Sequence, residues 1–111
     1  MTHTHLQVAA VLMDIEKELR ELMLWEEQPP PAEALNSVQP FCVDTLTFVQ
    51  WLQFIFLPRM YTLVNEELEL PHKCGIAPMA EEYFNGMGLN SRALVKKLES
   101  IDHILSAGAG R

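Results

Sequence analysis

A chain of 111 residues with 49% hydrophobic and 21% charged residues has the composition of one globular domain, and it lies outside the disordered and low-complexity classes. At this size roughly two-thirds of the unfolded surface can be buried, so no covalent staple is needed. The formal net charge is -7, and the eight Lys and Arg are scattered apart from Arg92, Lys96 and Lys97; phosphate backbones are bound by clustered cations that displace counterions, so direct nucleic-acid binding is not expected.

The first residues, MTHTHLQVAA, lack the basic start and long apolar core of a secretory signal, which makes the cytoplasm the expected compartment. Cys42 and Cys74 have no metal-type spacing. Both are expected as reduced thiols packed as small hydrophobes, with a disulfide between them as the alternative. His3 and His5 near the terminus could chelate copper or nickel if Met1 were kept, but removal of Met1 before the small Thr2 shifts the register, so no metal site is expected there.

From Leu6 to Trp25 the apolar residues Val8, Leu12, Ile15, Leu19 and Leu22 recur at steps of four and three, with charges filling most other positions. This spacing predicts an amphipathic helix of about six turns. Its Glu16–Arg20 spacing is a solvated i,i+4 pair worth a few tenths of a kcal/mol. Gln28-Pro29-Pro30-Pro31 ends the helix, because consecutive prolines supply no amide donors and hold the chain extended. The stretch to Pro40 reads as a connecting loop, a rigid spacer rather than a proline-rich ligand.

Thr45 to Pro58 (TLTFVQWLQFIFLP) carries no charge and includes Phe48, Trp51, Phe54 and Phe56. Past Thr45, the polar residues Thr47, Gln50 and Gln53 leave only a narrow wettable strip, so this segment is expected at the centre of the fold with protein on nearly every side. Fourteen residues are too few for a bilayer core, which takes about 20, and Asp44 and Arg59 close the segment. No membrane span is expected. Asp44 is placed to cap this helix by accepting from the amides of Leu46 or Thr47. Pro58 falls inside the apolar pattern that continues to Val64, and its ring would clash with the Phe54 carbonyl, so a kink or a break into two shorter helices is expected.

A loop over Leu70-Pro71-His72-Lys73-Cys74-Gly75 follows. His72 and Cys74 there lack the further ligands of a closed zinc site. Pro78 suits the first turn of a short helix in which Glu81 and Glu82 would sit early, favourable against the helix dipole. Gly86 and Gly88 stop it. The last helix is expected to start with Asn90 or Ser91 as cap, to bury Leu94, Leu98, Ile101 and Leu105, and to end at Gly108 and Gly110 with a frayed tail. His103 lies next to that stripe and is expected half-exposed.

No strand-like alternation is present, so the predicted class is all-α: a four-helix bundle, residues 1–111 as one domain, with a proline-kinked aromatic helix at its centre.

No nucleophile motif, glycine-rich phosphate loop or H-E-x-x-H pattern occurs. Adjacent Glu81 and Glu82 point about 100° apart on a helix and cannot share a proton. No catalytic residue and no cofactor is expected. Arg59 is the residue with most to explain: a guanidinium buried in the most apolar helix without a partner costs several kcal/mol, so a carboxylate is expected beside it, from Glu81, Glu82, Asp44 of another chain, or an anionic ligand.

Asn36-Ser37, Gln39-Pro40-Phe41, Asp44-Thr45, Trp51-Leu52-Gln53, Pro58-Arg59-Met60, Leu70-Pro71 and Ala77-Pro78 resemble the pattern of the YqcC-like family of small bacterial proteins over nearly the whole chain. The resemblance implies a four-helix bundle and a cytoplasmic bacterial protein. Members are sometimes labelled tRNA pseudouridine synthase C, which reads as a name borrowed from a neighbouring gene. The aspartate-bearing HRLD-type motif of that enzyme class is absent here, its catalytic domain is larger and β-rich, and Asp44 is not given its catalytic role.

Three functions follow as expectations. The first is a non-enzymatic interaction module that presents Asn36, Gln39 and Phe41 with Trp51, Arg59 and Tyr61 to a protein partner or to its own copy. The second is an accessory to tRNA pseudouridine modification that acts with a separate synthase. The third is a small anionic-ligand-binding protein in which Arg59 works with Gln53 and His72, for which a pocket of roughly 300 Å³ or more is needed.

Overall fold

A computed structural model of the protein describes residues 3–72 and 75–108. Helix α1 (His3–Glu21) buries Val8, Leu12, Ile15 and Leu19 completely. It begins three residues earlier than the periodicity suggests and ends four residues sooner. The stop is made without glycine: Met23 takes the left-handed conformation (φ 61°), the Leu24 amide donates to the Leu19 carbonyl at 2.9 Å and the Met23 amide to Arg20 at 3.0 Å. This pair of reverse-turn bonds satisfies carbonyls that the helix end leaves open. Beyond it, the Arg20 guanidinium lies 4.3 Å from the centre of the Trp25 ring.

The segment expected to be a loop holds one short helical turn, α2 (Ala32–Leu35), and a 3-10 turn over Pro40–Cys42. The central rod follows in three consecutive pieces: α3 (Phe48–Trp51), a π turn over Leu52–Phe56, and α4 (Leu57–Asn65).

Two expectations about this rod change. Asp44 is not its cap. Thr47 is: its hydroxyl accepts from the Gln50 amide at 3.1 Å while the Gln50 side-chain carbonyl accepts from the Thr47 amide at 3.0 Å, a reciprocal capping box that satisfies two orphan donors at once. Asp44, three residues upstream, accepts instead from the Ser37 hydroxyl. At Pro58 the disturbance takes the form of the π turn. The Leu57 amide reaches back five residues to the Leu52 carbonyl, which widens the coil just before the residue that has no amide to give, and the rod continues through Pro58 in the first turn of α4.

Helix α5 (Ile76–Phe84) follows Gly75, which sits at φ 64°. Its first two amides donate to one carboxylate, Ile76 to Oδ1 of Asp102 at 3.0 Å and Ala77 to Oδ2 at 2.8 Å. Because the helix starts at Ile76, Glu81 and Glu82 lie past its first turn and face solvent, so the dipole role expected of them falls to Asp102. Gly86 and Gly88, at φ 80° and 70°, turn the chain. In α6 (Arg92–Gly108) the Asn90 side chain accepts from the Arg92 amide at 3.4 Å, and Leu94, Leu98, Ile101 and Leu105 are buried. The tail beyond Gly108 lies outside the described residues, as does Cys74.

The helices pack in a closed ring, α1 on α6, α6 on α5, α5 on α3, and α4 back on α1. The result is an all-α four-helix bundle with one continuous apolar core. No strand occurs among the described residues, and no described helix is long and apolar enough to cross a membrane. Burial of a leucine-sized side chain contributes about 1.5–3 kcal/mol, so the fully buried stripes of α1 and α6, together with the buried residues of the rod and α5, are a main source of stability. The Lys97–Asp14 ion pair between these helices, at 3.5 Å, is partly exposed and adds little.

Candidate functional site

The rod is not covered all round. Leu52, Gln53, Phe56, Leu57 and Met60 are buried, but Trp51, Phe54 and Ile55 remain partly exposed. Trp51 stands in an aromatic cluster. Its ring centre is 4.7 Å from Phe41, edge to face, 5.4 Å from Phe56 and 6.2 Å from Phe48.

Beside this cluster opens a cleft of about 560 Å³. Phe56, Met60 and Leu63 of the rod form its floor, Pro40 and Phe41 one wall, and Leu70 and Pro71 the other, while Arg59, Glu69 and His72 bring polar groups to its rim. The walls are set by local structure. Phe41 and Cys42 both adopt left-handed backbone (φ 56° and 50°), a conformation that costs of order 1–3 kcal/mol for a non-glycine residue and persists only where the surroundings enforce it. Here burial of Cys42, a free thiol, the Phe41–Trp51 ring contact and a dense turn enforce it. In that turn the Cys42 amide donates to Gln39, the Leu46 amide to Cys42, and the Thr45 hydroxyl to Ala34. The opposite wall leaves α4 through Glu67 at φ 55°, with the Leu68 amide on the Leu63 carbonyl at 2.8 Å. It is held to α1 by the His5 ring, whose Nε2 lies 2.8 Å from the Leu68 carbonyl. A carbonyl only accepts, so Nε2 carries the proton and is not offered to a metal.

Arg59 does not match the expectation of a buried guanidinium. The rod turns Pro58 and Arg59 outward, so the charge stays solvated, and it makes no ion pair among the described residues. Glu81 and Glu82 of the same chain are not its partners. At the rim Glu69 lies 3.5 Å from Nε2 of His72.

The residues singled out in the sequence divide four ways. Phe41, Trp51 and Arg59 come together at the cleft, with His72. Gln53 is buried elsewhere: its carbonyl accepts from the Glu26 amide at 2.9 Å and its amide donates to the Glu26 carbonyl at 2.6 Å, which ties the chain leaving α1 to the rod. Tyr61 lines a separate recess of about 280 Å³ with Met13, Glu16 and Arg20, where burial and then the Glu16 charge push its hydroxyl above the ordinary value of 10.0. Asn36 and Gln39 are exposed in the loop behind the Phe41 wall. Leu63, Leu70 and Pro71 had not been singled out for the site; only the Leu70-Pro71 pair carried a signal, as part of the family pattern. Among the described residues no group of three or more His, Cys, Asp and Glu is gathered to hold a metal ion.

Comparison with known proteins gives consistent relatives. A family model described as tRNA pseudouridine synthase C matches residues 7–104. The uncharacterized protein YqcC of Escherichia coli K12 is 31% identical over 106 residues, 96% of this chain and 97% of that protein. An uncharacterized protein of Haemophilus influenzae is 41% identical over 71 residues, 64% of this chain and 67% of its own length. A protein of Pectobacterium carotovorum named tRNA pseudouridine synthase C is 51% identical over 65 residues, 59% of this chain, but the match spans only 17% of that protein. The solution NMR structure of E. coli YqcC superposes with a TM-score of 0.78 at 33% identity, over 95% of this chain and 90% of that one. With nearly its whole length matched in sequence and in fold, the chain belongs to the YqcC-like family, whose model bears the description tRNA pseudouridine synthase C.

Proposed function

We propose that the protein is a non-enzymatic docking module that works beside a tRNA pseudouridine synthase in the bacterial cytoplasm. The observation that carries this reading is the 560 Å³ cleft, an open apolar surface with Trp51 and Phe41 at its edge and Arg59 on its rim. Aromatic and arginine side chains are enriched where protein interfaces concentrate their energy, and apolar surface left uncovered on a small bundle marks a place of contact.

The choice of partner is supported by the Pectobacterium protein. Its name is that of the synthase, and most of its length lies outside the matched segment, so we read it as a module of this kind joined to the enzyme in one polypeptide. Joining two bodies raises their effective concentration. A module on its own chain must supply that association through its surface. The net charge of -7 favours a basic partner such as a tRNA-binding enzyme, and it leaves the RNA contacts to that enzyme. The chemistry stays there too. The Ser37–Asp44 hydrogen bond is exposed and has no histidine to complete a nucleophile, and the aspartate motif of pseudouridine synthases is absent.

Two measurements test the reading. Purified protein should bind a purified synthase equivalent to the unmatched part of the Pectobacterium protein, and pseudouridine mapping of tRNA from a deletion strain should show reduced modification. Absence of binding together with unchanged modification would remove the proposal.

A second reading is favoured by Arg59 alone. The cleft lies within the range of about 300–1,000 Å³ typical of small-molecule sites, and a guanidinium on its rim with no ion pair among the described residues suits a small anion. In that case Arg59→Met abolishes ligand binding and leaves folding intact.

A further inference from the structure

We infer that the cleft takes a partner segment in which a large apolar side chain sits on Phe56, Met60 and Leu63 while a neighbouring carboxylate pairs with Arg59. The inference rests on the docking reading and specifies what the docked segment must look like.

The floor is apolar, and nothing in it competes for a charged group. A partner therefore gains from an aliphatic or aromatic anchor and loses from a buried charge. Among the described residues Arg59 is the one arginine or lysine on the rim, and it has no ion-pair partner there. Its forked guanidinium is matched to a carboxylate, which it can hold through two parallel hydrogen bonds.

Charge complementarity also separates a peptide from a free acid. Glu69 faces the same cleft and lies 3.5 Å from His72, so the rim presents both signs. A free apolar acid has a group for Arg59 and none for Glu69. A polypeptide segment can place an acid at one side and an amide or a base at the other. The walls are built before binding. The left-handed pair Phe41–Cys42 is locked by Trp51 and the turn around it, and the Leu70 wall is fixed through the Leu68–His5 contact. A rigid groove costs little ordering on its own side, which concentrates affinity in the anchor and its acid.

The test is selection of peptides from a random library displayed on phage, against immobilised wild-type protein and against Arg59→Glu, with Arg59→Lys as the charge-conserving control. The proposal predicts enrichment of peptides with a large apolar residue within a few positions of Asp or Glu. It further predicts that binding of these peptides weakens at least about tenfold in Arg59→Glu and less in Arg59→Lys, with unfolding midpoints unchanged. It is overturned by failure to enrich any peptide, by enriched peptides that bind Arg59→Glu as well as wild type, or by Arg59-dependent binding of dodecanoate in place of peptides. Concentration-dependent self-association lost in Arg59→Glu would also overturn it, since the occupant is then a second copy. Binding of the purified synthase is measured in parallel. If the synthase binds wild type and Arg59→Glu equally, the groove chemistry is wrong and the docking reading stands; if Arg59-dependent peptides are found and no synthase binds, the groove chemistry stands and the named partner falls.

Discussion

The two long sides of the bundle are built on different principles. Where α1 meets α6, eight aliphatic residues, Val8, Leu12, Ile15, Leu19, Leu94, Leu98, Ile101 and Leu105, are buried to 2% exposure or less, and the surface around them carries ordinary solvated charges. At the other side, between the turn at Phe41 and the strap at Leu70, aromatic rings are half covered, two successive non-glycine residues hold left-handed backbone, and an arginine makes no ion pair among the described residues. The first arrangement is what stability alone would produce. The second keeps apolar surface and a charge available, and it is maintained by the turn around Cys42 and by the Leu68–His5 contact.

If that contrast is right, substitutions on the two sides separate stability from binding. The largest expected effect is Leu98→Ala, which removes a fully buried side chain and should cost about 2–5 kcal/mol in urea unfolding while leaving the affinity of the folded protein for its partner unchanged. Gln53→Met keeps the side-chain volume but strips the Glu26 amide and carbonyl of their partners. A loss of about 1–3 kcal/mol is expected, and it would assign Gln53 to the scaffold.

Asp102→Ala removes both acceptors from the start of α5, with an expected cost of about 1 kcal/mol, as for other helix caps. Faster hydrogen exchange at Ile76 and Ala77 is the local readout. Arg59→Glu, on an exposed side chain with no ion pair among the described residues, should change stability by less than about 0.5 kcal/mol. The smallest effect concerns Tyr61. Its hydroxyl is held above the ordinary value of 10.0 by burial and by the Glu16 charge, so the folded state holds that proton more tightly than the unfolded chain. The contribution is fully present below pH 10 and is lost as pH rises through the folded value. Tyr61→Phe should therefore soften the alkaline loss of stability above pH 10, seen in thermal melts across that range.

How much of this was readable in the chain depends on the range of the interaction. The stripes of α1 and α6 announce themselves because helical burial repeats every three or four residues, and the structure buries the residues so marked except Leu22, which lies past the end of α1 and is half-covered. The cap of the rod is also written locally, as Thr47 followed three residues later by Gln50, a neutral capping box that satisfies two donors where the single carboxylate of Asp44 would satisfy one. Gln53 and Asp102 were unreadable in their roles. Their partners lie 25 to 27 residues away, and nothing in local spacing reports such a meeting. Arg59 differs from its expectation for a related reason: its neighbours are apolar along the chain, yet the rod turns it outward, so no internal carboxylate is required. Of the cleft, Phe41, Trp51 and Arg59 were visible as unusual side chains, whereas the floor residues Met60 and Leu63 look like any core leucine or methionine until the helices are assembled.

The most direct measurement is made on Arg59→Glu, by following its unfolding midpoint and its affinity for the purified synthase in the same buffer. A cleft kept open for a partner predicts an unchanged midpoint with binding weakened about tenfold or more. A lower midpoint with unchanged affinity would contradict the account, because Arg59 would then be holding the fold together and the cleft would be a by-product of packing.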